Sequence, residues 1–116
     1  MNPEDLKKLK ETNQCPECDL SGADLEGANL RKANLFYANL EGANLWRANL
    51  VDANLRGANL VDANLKGAYL AGAYLDGAYL FYADLRGAYL GGGNLKEAFF
   101  CETTMPDGTK NNTDCP

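Results

Sequence analysis

Residues 48–67, with the sequence ANLVDANLRGANLVDANLKG, repeat one five-residue pattern. Leucine recurs at every fifth position from Leu20 to Leu95, and alanine stands two positions before nearly all of these leucines. The residue between them is asparagine, aspartate or, later in the chain, tyrosine or phenylalanine. The repeating unit is therefore alanine, a polar or aromatic residue, leucine and two variable residues.

A period of five fits neither a continuous helix nor a continuous strand. Successive leucines would rotate by about 140° around an α-helix, and they would point to opposite faces of a strand. The pattern fits a three-residue extended piece, with alanine and leucine pointing inward, followed by a two-residue corner. Glycine often fills the second corner position, as at Gly57 and Gly67, where a tight turn commonly needs a positive φ. Repeated corners wind the chain into a β-solenoid, and the number of units per turn stays open.

At these residues the chain resembles the pentapeptide-repeat protein family, whose repeat is Ala-(Asp/Asn)-Leu-X-X. The resemblance covers residues 16–100, and the cysteine-bearing ends resemble those of small cyanobacterial members. It implies an all-β fold, a right-handed quadrilateral parallel β-helix with four units per coil and therefore about four coils. Residues twenty apart would then stack above one another.

We expect one domain over residues 1–116. Asn2 and Pro3 are typical of a helix start, and we predict a short capping α-helix over residues 3–12. The predicted parts are an N-terminal helical cap (1–15), the pentapeptide-repeat solenoid (16–100) and a C-terminal cap or tail (101–116).

The four cysteines lie near the two ends of the chain. Cys15 and Cys18 flank a predicted corner, and the ends of a tight turn lie within the reach of a disulfide. Cys101 and Cys115 flank the C-terminal segment and are candidates for a second bridge. A redox dithiol at Cys15 and Cys18 is the alternative. A zinc site would have to join opposite ends of a rod, so we predict no metal ligands.

The composition excludes several function classes. The chain has no histidine and one serine, Ser21, so catalytic arrangements that need an imidazole base cannot form. We predict no enzyme, no catalytic residues and no cofactor. No run approaches the ~20 apolar residues that span a bilayer, which argues against a membrane role. Charges of both signs with a net of −5 do not favour nucleic acid as a partner.

Aromatic residues provide the candidate interaction surface. Tyr89 and Phe99 follow Tyr69 and Tyr79 by twenty residues, so four-unit winding predicts stacked rings on the outside. Clustered aromatic side chains at corners are typical of partner sites. The candidate surface residues are Phe36, Tyr37, Trp46, Phe81 and Tyr82.

The leading hypothesis is a non-catalytic structural or protein-interaction scaffold with an unidentified protein partner. We expect a monomer, with a weak dimer as the alternative. The family resemblance implies a second hypothesis, a DNA-mimicking inhibitor of the topoisomerase gyrase, although this chain has few coils and a mild acidic excess. A third is a thiol redox protein that uses Cys15 and Cys18.

The first fifteen residues alternate in charge and do not resemble a secretory signal, so we expect a cytoplasmic protein. Oxidised cysteines would instead favour the periplasm or the thylakoid lumen.

Overall fold

The computed structural model describes residues 1–93 and 95–116. Helix α1 spans Pro3–Thr12, strand β1 spans Thr103–Thr104 and strand β2 spans Lys110–Asn111. Strands β1 and β2 pair in an antiparallel hairpin. Between α1 and β1 the chain winds in short extended pieces joined by tight turns.

Among the described residues, parallel bridges connect extended pieces to the piece twenty residues later, as in Asn39 to Asn59 and Asn59 to Tyr79. Backbone hydrogen bonds follow the same spacing: the Leu60 N–H donates to the Tyr79 carbonyl at 2.8 Å. Because twenty residues contain four pentapeptides, each turn has four extended faces and four corners. The turns stack through main-chain hydrogen bonds, as the residues predict for a β-solenoid.

The interior of the solenoid consists of the repeated alanines and leucines. Leu45, Leu50 and Leu55 have no exposed surface, and neither has Ala48. Burial of each leucine contributes about 1.5–3 kcal/mol before the entropy of ordering the chain is subtracted. Alanine and leucine therefore point inward, as predicted, and the residue between them points outward.

The second residue of most corners adopts a left-handed conformation. Gly57 has φ 69° and Gly67 has φ 65°, as the corner pattern predicts. Tyr37 and Arg47 share this conformation, each with φ 55°. A Cβ atom at Gly57 would lie 2.6 Å from Cε1 of Tyr37, and one at Gly67 would lie 3.1 Å from Cγ of Arg47. Glycine at these two corners therefore leaves room for a large side chain of the preceding turn.

Asparagine at the outward position closes the corner that follows it. The backbone N–H of Phe36 donates to Oδ1 of Asn34 at 3.2 Å. The N–H of Val51 donates in the same way to Oδ1 of Asn49 at 3.0 Å. Asparagine and aspartate favour such bonds to the backbone two residues ahead. The outward asparagines thus satisfy a main-chain donor in their own turn.

Helix α1 packs on the N-terminal end of the solenoid. Its Leu9 is buried in the same cluster as the repeat leucines, and Leu6 packs against that cluster. The Asn2 side chain accepts a hydrogen bond from Glu4 N at 2.9 Å. Asp5 accepts one from Asp19 N at 2.8 Å, which connects the helix to the first turn.

The C-terminal segment folds back onto the last turn. Oδ2 of Asp114 accepts a hydrogen bond from Phe100 N at 3.0 Å. The buried Thr103 hydroxyl donates to the Leu80 carbonyl at 2.6 Å. These two side chains form hydrogen bonds with backbone groups in the last turn and in the turn next to it.

Candidate interaction surface

Both cysteine pairs form the disulfides that their positions suggested. Cys15 and Cys18 are bonded with their Cα atoms 5.3 Å apart, and Cys101 and Cys115 with theirs 4.7 Å apart. Cys15 is fully buried and Cys18 is 5% exposed. Attack on a disulfide needs access to one of its sulfur atoms. The burial of the first pair therefore favours a structural role over redox exchange.

The corners of successive turns form four columns along the outside of the solenoid. Main-chain bonds define them, since Tyr37 N donates to the Arg56 carbonyl and Arg47 N to the Lys66 carbonyl. We name the columns by their residues: A (16–17, 36–37, 56–57, 76–77, 96–97), B (21–22, 41–42, 61–62, 81–82, 101–102), C (26–27, 46–47, 66–67, 86–87, 106–107) and D (31–32, 51–52, 71–72, 91–92).

The five candidate surface residues fall on three different columns. Phe36 and Tyr37 lie on column A, Phe81 and Tyr82 on column B, and Trp46 on column C. Columns A and C are diagonally opposite corners of each turn. The structure therefore does not bring the five residues together into one surface, and each column must be considered separately.

Exposure also differs among these residues. Tyr37 is 58% exposed and Tyr82 60%, whereas Trp46 is 36% exposed. Phe81 is half-buried and meets Tyr79 edge to face, with ring centroids 6.3 Å apart. Phe81 therefore contributes to packing more than to an open surface.

The stacked tyrosines predicted on the faces are confirmed. The Tyr69 and Tyr89 rings are parallel within 5° at a centroid distance of 4.9 Å. Tyr79 and Phe99 stack at 5.0 Å. Even so, Tyr69 is 44% and Tyr89 58% exposed, so these rings both stiffen the stack and stay accessible.

An open groove of about 430 Å³ runs between column C and the face of the stacked pair. Its lining residues are Trp46, Arg47, Lys66, Gly67, Tyr69, Arg86, Gly87 and Tyr89. Sequence reasoning missed this cluster because the contributing residues lie up to two turns apart in the chain. Once residues twenty apart are placed above one another, the sequence itself shows Trp46, Lys66 and Arg86 in one column.

One carboxylate partly compensates the cations of this groove. Nη2 of Arg86 lies 2.7 Å from Oδ2 of Asp84, and Nζ of Lys66 lies 3.8 Å from the same oxygen. The hydrogen bonds from the Arg86 side chain hold the pKa of Asp84 below its usual value, and the Asp84 carboxylate raises the pKa of Arg86. Arg47 lies over the Trp46 ring at 4.6 Å.

The described residues contain no group of three or more carboxylate and thiol side chains placed to hold a metal ion. Within residues 1–93 and 95–116, no helix has the length and apolar character to cross a membrane.

Comparison with known proteins decides the family. The family model for pentapeptide repeats matches residues 15–45, 48–81 and 58–96, with eight copies of the repeat. The chain belongs to the pentapeptide-repeat family. None of the curated proteins matches the chain.

Three solved pentapeptide-repeat structures are similar to the chain. A protein from the thylakoid lumen of Arabidopsis thaliana is 31% identical, with a TM-score of 0.60, over 80% of this chain and 59% of that one. A protein from Nostoc PCC 7120 is 31% identical, with a TM-score of 0.53, over 97% of this chain and 88% of that one. HetL, from the same cyanobacterium and involved in heterocyst differentiation regulation, is 44% identical, with a TM-score of 0.47, over 84% of this chain and 43% of HetL.

The matches therefore span 59% of the Arabidopsis protein and 43% of HetL. The family also gives the hand of the solenoid, which is a right-handed β-helix.

Proposed function

We propose that this pentapeptide-repeat protein is a non-catalytic scaffold that binds a protein partner through its outer corners. Its single domain comprises the solenoid of residues 16–100, about four coils long, with end caps at 1–15 and 101–116. The observation that carries the proposal is the exposure of large aromatic side chains, such as Tyr37 and Tyr82, on a framework held by buried leucines. Exposed aromatic surface is typical of interaction sites.

The two alternative functions have less support. Acidic side chains share columns A, C and D with basic ones, and on column B the aromatic Phe81 and Tyr82 interrupt the acidic residues. No column therefore forms the continuous anionic stripe that DNA mimicry would need. A thiol redox role would require access to Cys15 or Cys18, both of which are buried. We therefore propose neither gyrase inhibition nor thiol exchange as the function.

We further propose that the protein works as a monomer in an oxidising compartment. One disulfide lies near the N-terminal end of the chain and the other near the C-terminal end. Disulfides persist in oxidising environments. The thylakoid-lumen location of the similar Arabidopsis protein supports this choice. The cytoplasmic location expected from the N-terminal charges stays a prediction that fractionation of the native cells can test.

Crosslinking and affinity capture from the native organism test the scaffold function, with one variant for each column. The variants are Phe36→Ser with Tyr37→Ser on column A, Tyr82→Ser on column B and Trp46→Ser on column C. We expect at least one variant to lose a captured partner while its thermal unfolding stays within a few degrees of the parent.

A matched control is Arg31→Ser with Lys32→Ser on column D, which alters an exposed corner without aromatic side chains. The control should retain every partner. A partner list that is the same for the parent and all column variants would contradict the proposed function.

A further inference from the structure

We propose that the groove beside column C binds a short acidic peptide segment in an extended conformation. The inference deepens the proposed scaffold function by naming the chemistry of the partner, and it rests on that function. In the groove, outward aromatic residues and three basic residues of this acidic chain come together.

The charges of the groove favour an anion. Arg47, Lys66 and Arg86 line it, and no acidic side chain of the described residues does so. The nearest compensating group is Asp84, which lies on the neighbouring face and pairs with two of the three cations. Lys66 and Arg86 remain 43% and 56% exposed in spite of that pairing, so both can take a second carboxylate.

The spacing of the cations suits carboxylates on alternate residues of an extended chain. Successive turns of the solenoid lie about 4.8 Å apart, so Lys66 and Arg86 project from neighbouring levels. Side chains on one side of an extended peptide lie about 7 Å apart. The long lysine and arginine side chains can cover the difference, which allows one peptide carboxylate to each cation.

The aromatic walls offer such a peptide both polar and apolar contacts. Tyr69 and Tyr89 stack on one another, so the ring faces between them are already occupied, while 44% of Tyr69 and 58% of Tyr89 stay exposed. Ring edges carry partial positive charge and hydroxyl groups donate hydrogen bonds, both of which favour peptide oxygens. On the opposite wall Trp46 carries Arg47 over its ring and offers an apolar border.

The rest of the molecule opposes a long polyanion. The chain has a net charge of −5, and column C itself carries Glu26 below the groove and Asp107 above it. A nucleic acid strand that extended past the groove would meet these carboxylates and the repulsion of the whole chain. A ligand with few charges, confined to the two or three turns of the groove, avoids both.

Fluorescence anisotropy with defined peptides tests the inference. The probe is a labelled peptide in which glutamate alternates with leucine, and the references are the same peptide with glutamine for glutamate and a single-stranded oligonucleotide of equal length. We expect the glutamate peptide to bind more tightly than either reference. Its affinity should fall as salt is added.

The groove variant Arg47→Gln with Lys66→Gln and Arg86→Gln should weaken binding of the peptide by about tenfold. The matched control, Arg31→Gln with Lys32→Gln and Arg56→Gln, removes the same charge from columns A and D and should bind like the parent. Equal thermal unfolding of both variants ensures that folding is not the cause of the difference.

Equal binding by the two variants, tighter binding of the oligonucleotide, or no binding of the glutamate peptide would each overturn the inference. The scaffold function has its own test in the column variants. A partner lost on substitution of column A or B, with no peptide bound at column C, would leave the scaffold function standing and remove this inference.

Discussion

Two regions of the solenoid share one interior but close their outer surface by different means. In the region from Asn29 to Asn64 the outward residue is asparagine, whose side chain accepts the next corner's N–H within the same turn. In the region from Tyr69 to Phe99 most outward residues are aromatic, and two pairs of their rings stack between turns, Tyr69 with Tyr89 and Tyr79 with Phe99. Leucines are fully buried in both regions, as at Leu50 and Leu70, although Leu90 and Leu95 near the end of the second region are only partly buried. The two regions thus share the packing of their interior and differ in the side chains of the outward row.

The largest expected effect tests whether the interior is the same in both regions. Leu50 lies beside Asn49 and Leu70 beside Tyr69, and both leucines are fully buried. Leu50→Lys and Leu70→Lys should each lower the free energy of unfolding by about 4 kcal/mol or more, because each buries an unpaired charge. Circular dichroism during chemical denaturation measures this loss. If lysine at one site cost far less than at the other, the interiors would not be equivalent.

Removal of the disulfides should have the next largest effect. The Cys101–Cys115 bridge closes a segment with a sequence separation of 14, and the Cys15–Cys18 bridge one of 3. Cys101→Ser with Cys115→Ser should cost about 3 kcal/mol, and Cys15→Ser with Cys18→Ser about 2 kcal/mol, because a longer loop loses more entropy on closure. Thermal unfolding of the two double variants checks this order, and the reverse order would contradict it.

Double-mutant cycles separate the two ways of closing the outer surface. Tyr69→Ala and Tyr89→Ala should show a coupling energy of about 1 kcal/mol, because removal of either ring already abolishes the stacking interaction between them. Asn39→Ala and Asn59→Ala should each cost about 1 kcal/mol but add without coupling, since each side chain serves its own corner. Denaturant unfolding of the single and double variants provides both cycles. A strong asparagine coupling would remove the distinction between the regions.

The smallest expected effect concerns pH at Asp84, the acidic exception in the aromatic region. Its pKa is lowered by the Arg86 side chain, so the pair stabilises the fold above the pKa of the unfolded carboxyl group, near 4. That contribution is lost as the pH falls below this value toward the lower folded pKa. Asp84→Asn should cost less than about 1 kcal/mol at neutral pH and should reduce the loss of stability in acid. Thermal unfolding from neutral to acidic pH tests the sign, and a steeper acid loss in the variant would contradict it.

Much of the fold follows from the sequence because the five-residue period determines which side chains point inward. The period predicts the buried leucines and the left-handed corners, and the start signals at Asn2 and Pro3 predict the helix found at Pro3–Thr12. The number of units per turn does not follow from the period, since four-unit and other windings bury the same residues. The family resemblance was needed for that step.

The candidate site was harder to predict for the same reason. The five-residue period alone gives Phe36 and Trp46 no defined relation in space, and the structure places them on opposite columns. The groove around Lys66 and Arg86 depends on neighbours twenty residues apart, as does the room that Gly57 leaves for Tyr37. Sequence patterns over a few neighbouring residues do not predict contacts between residues twenty positions apart.

Disulfide formation between engineered cysteines tests the twenty-residue turn most directly. Asn39→Cys with Asn59→Cys joins bridged positions of one face, whereas Asn39→Cys with Asn54→Cys places the thiols on adjacent faces. We expect the first pair to oxidise readily to one intramolecular species and the second to keep its free thiols, as measured by thiol labelling and mass spectrometry. Ready oxidation of the second pair, with free thiols in the first, would contradict the stacking on which the columns, the groove and the proposed function depend.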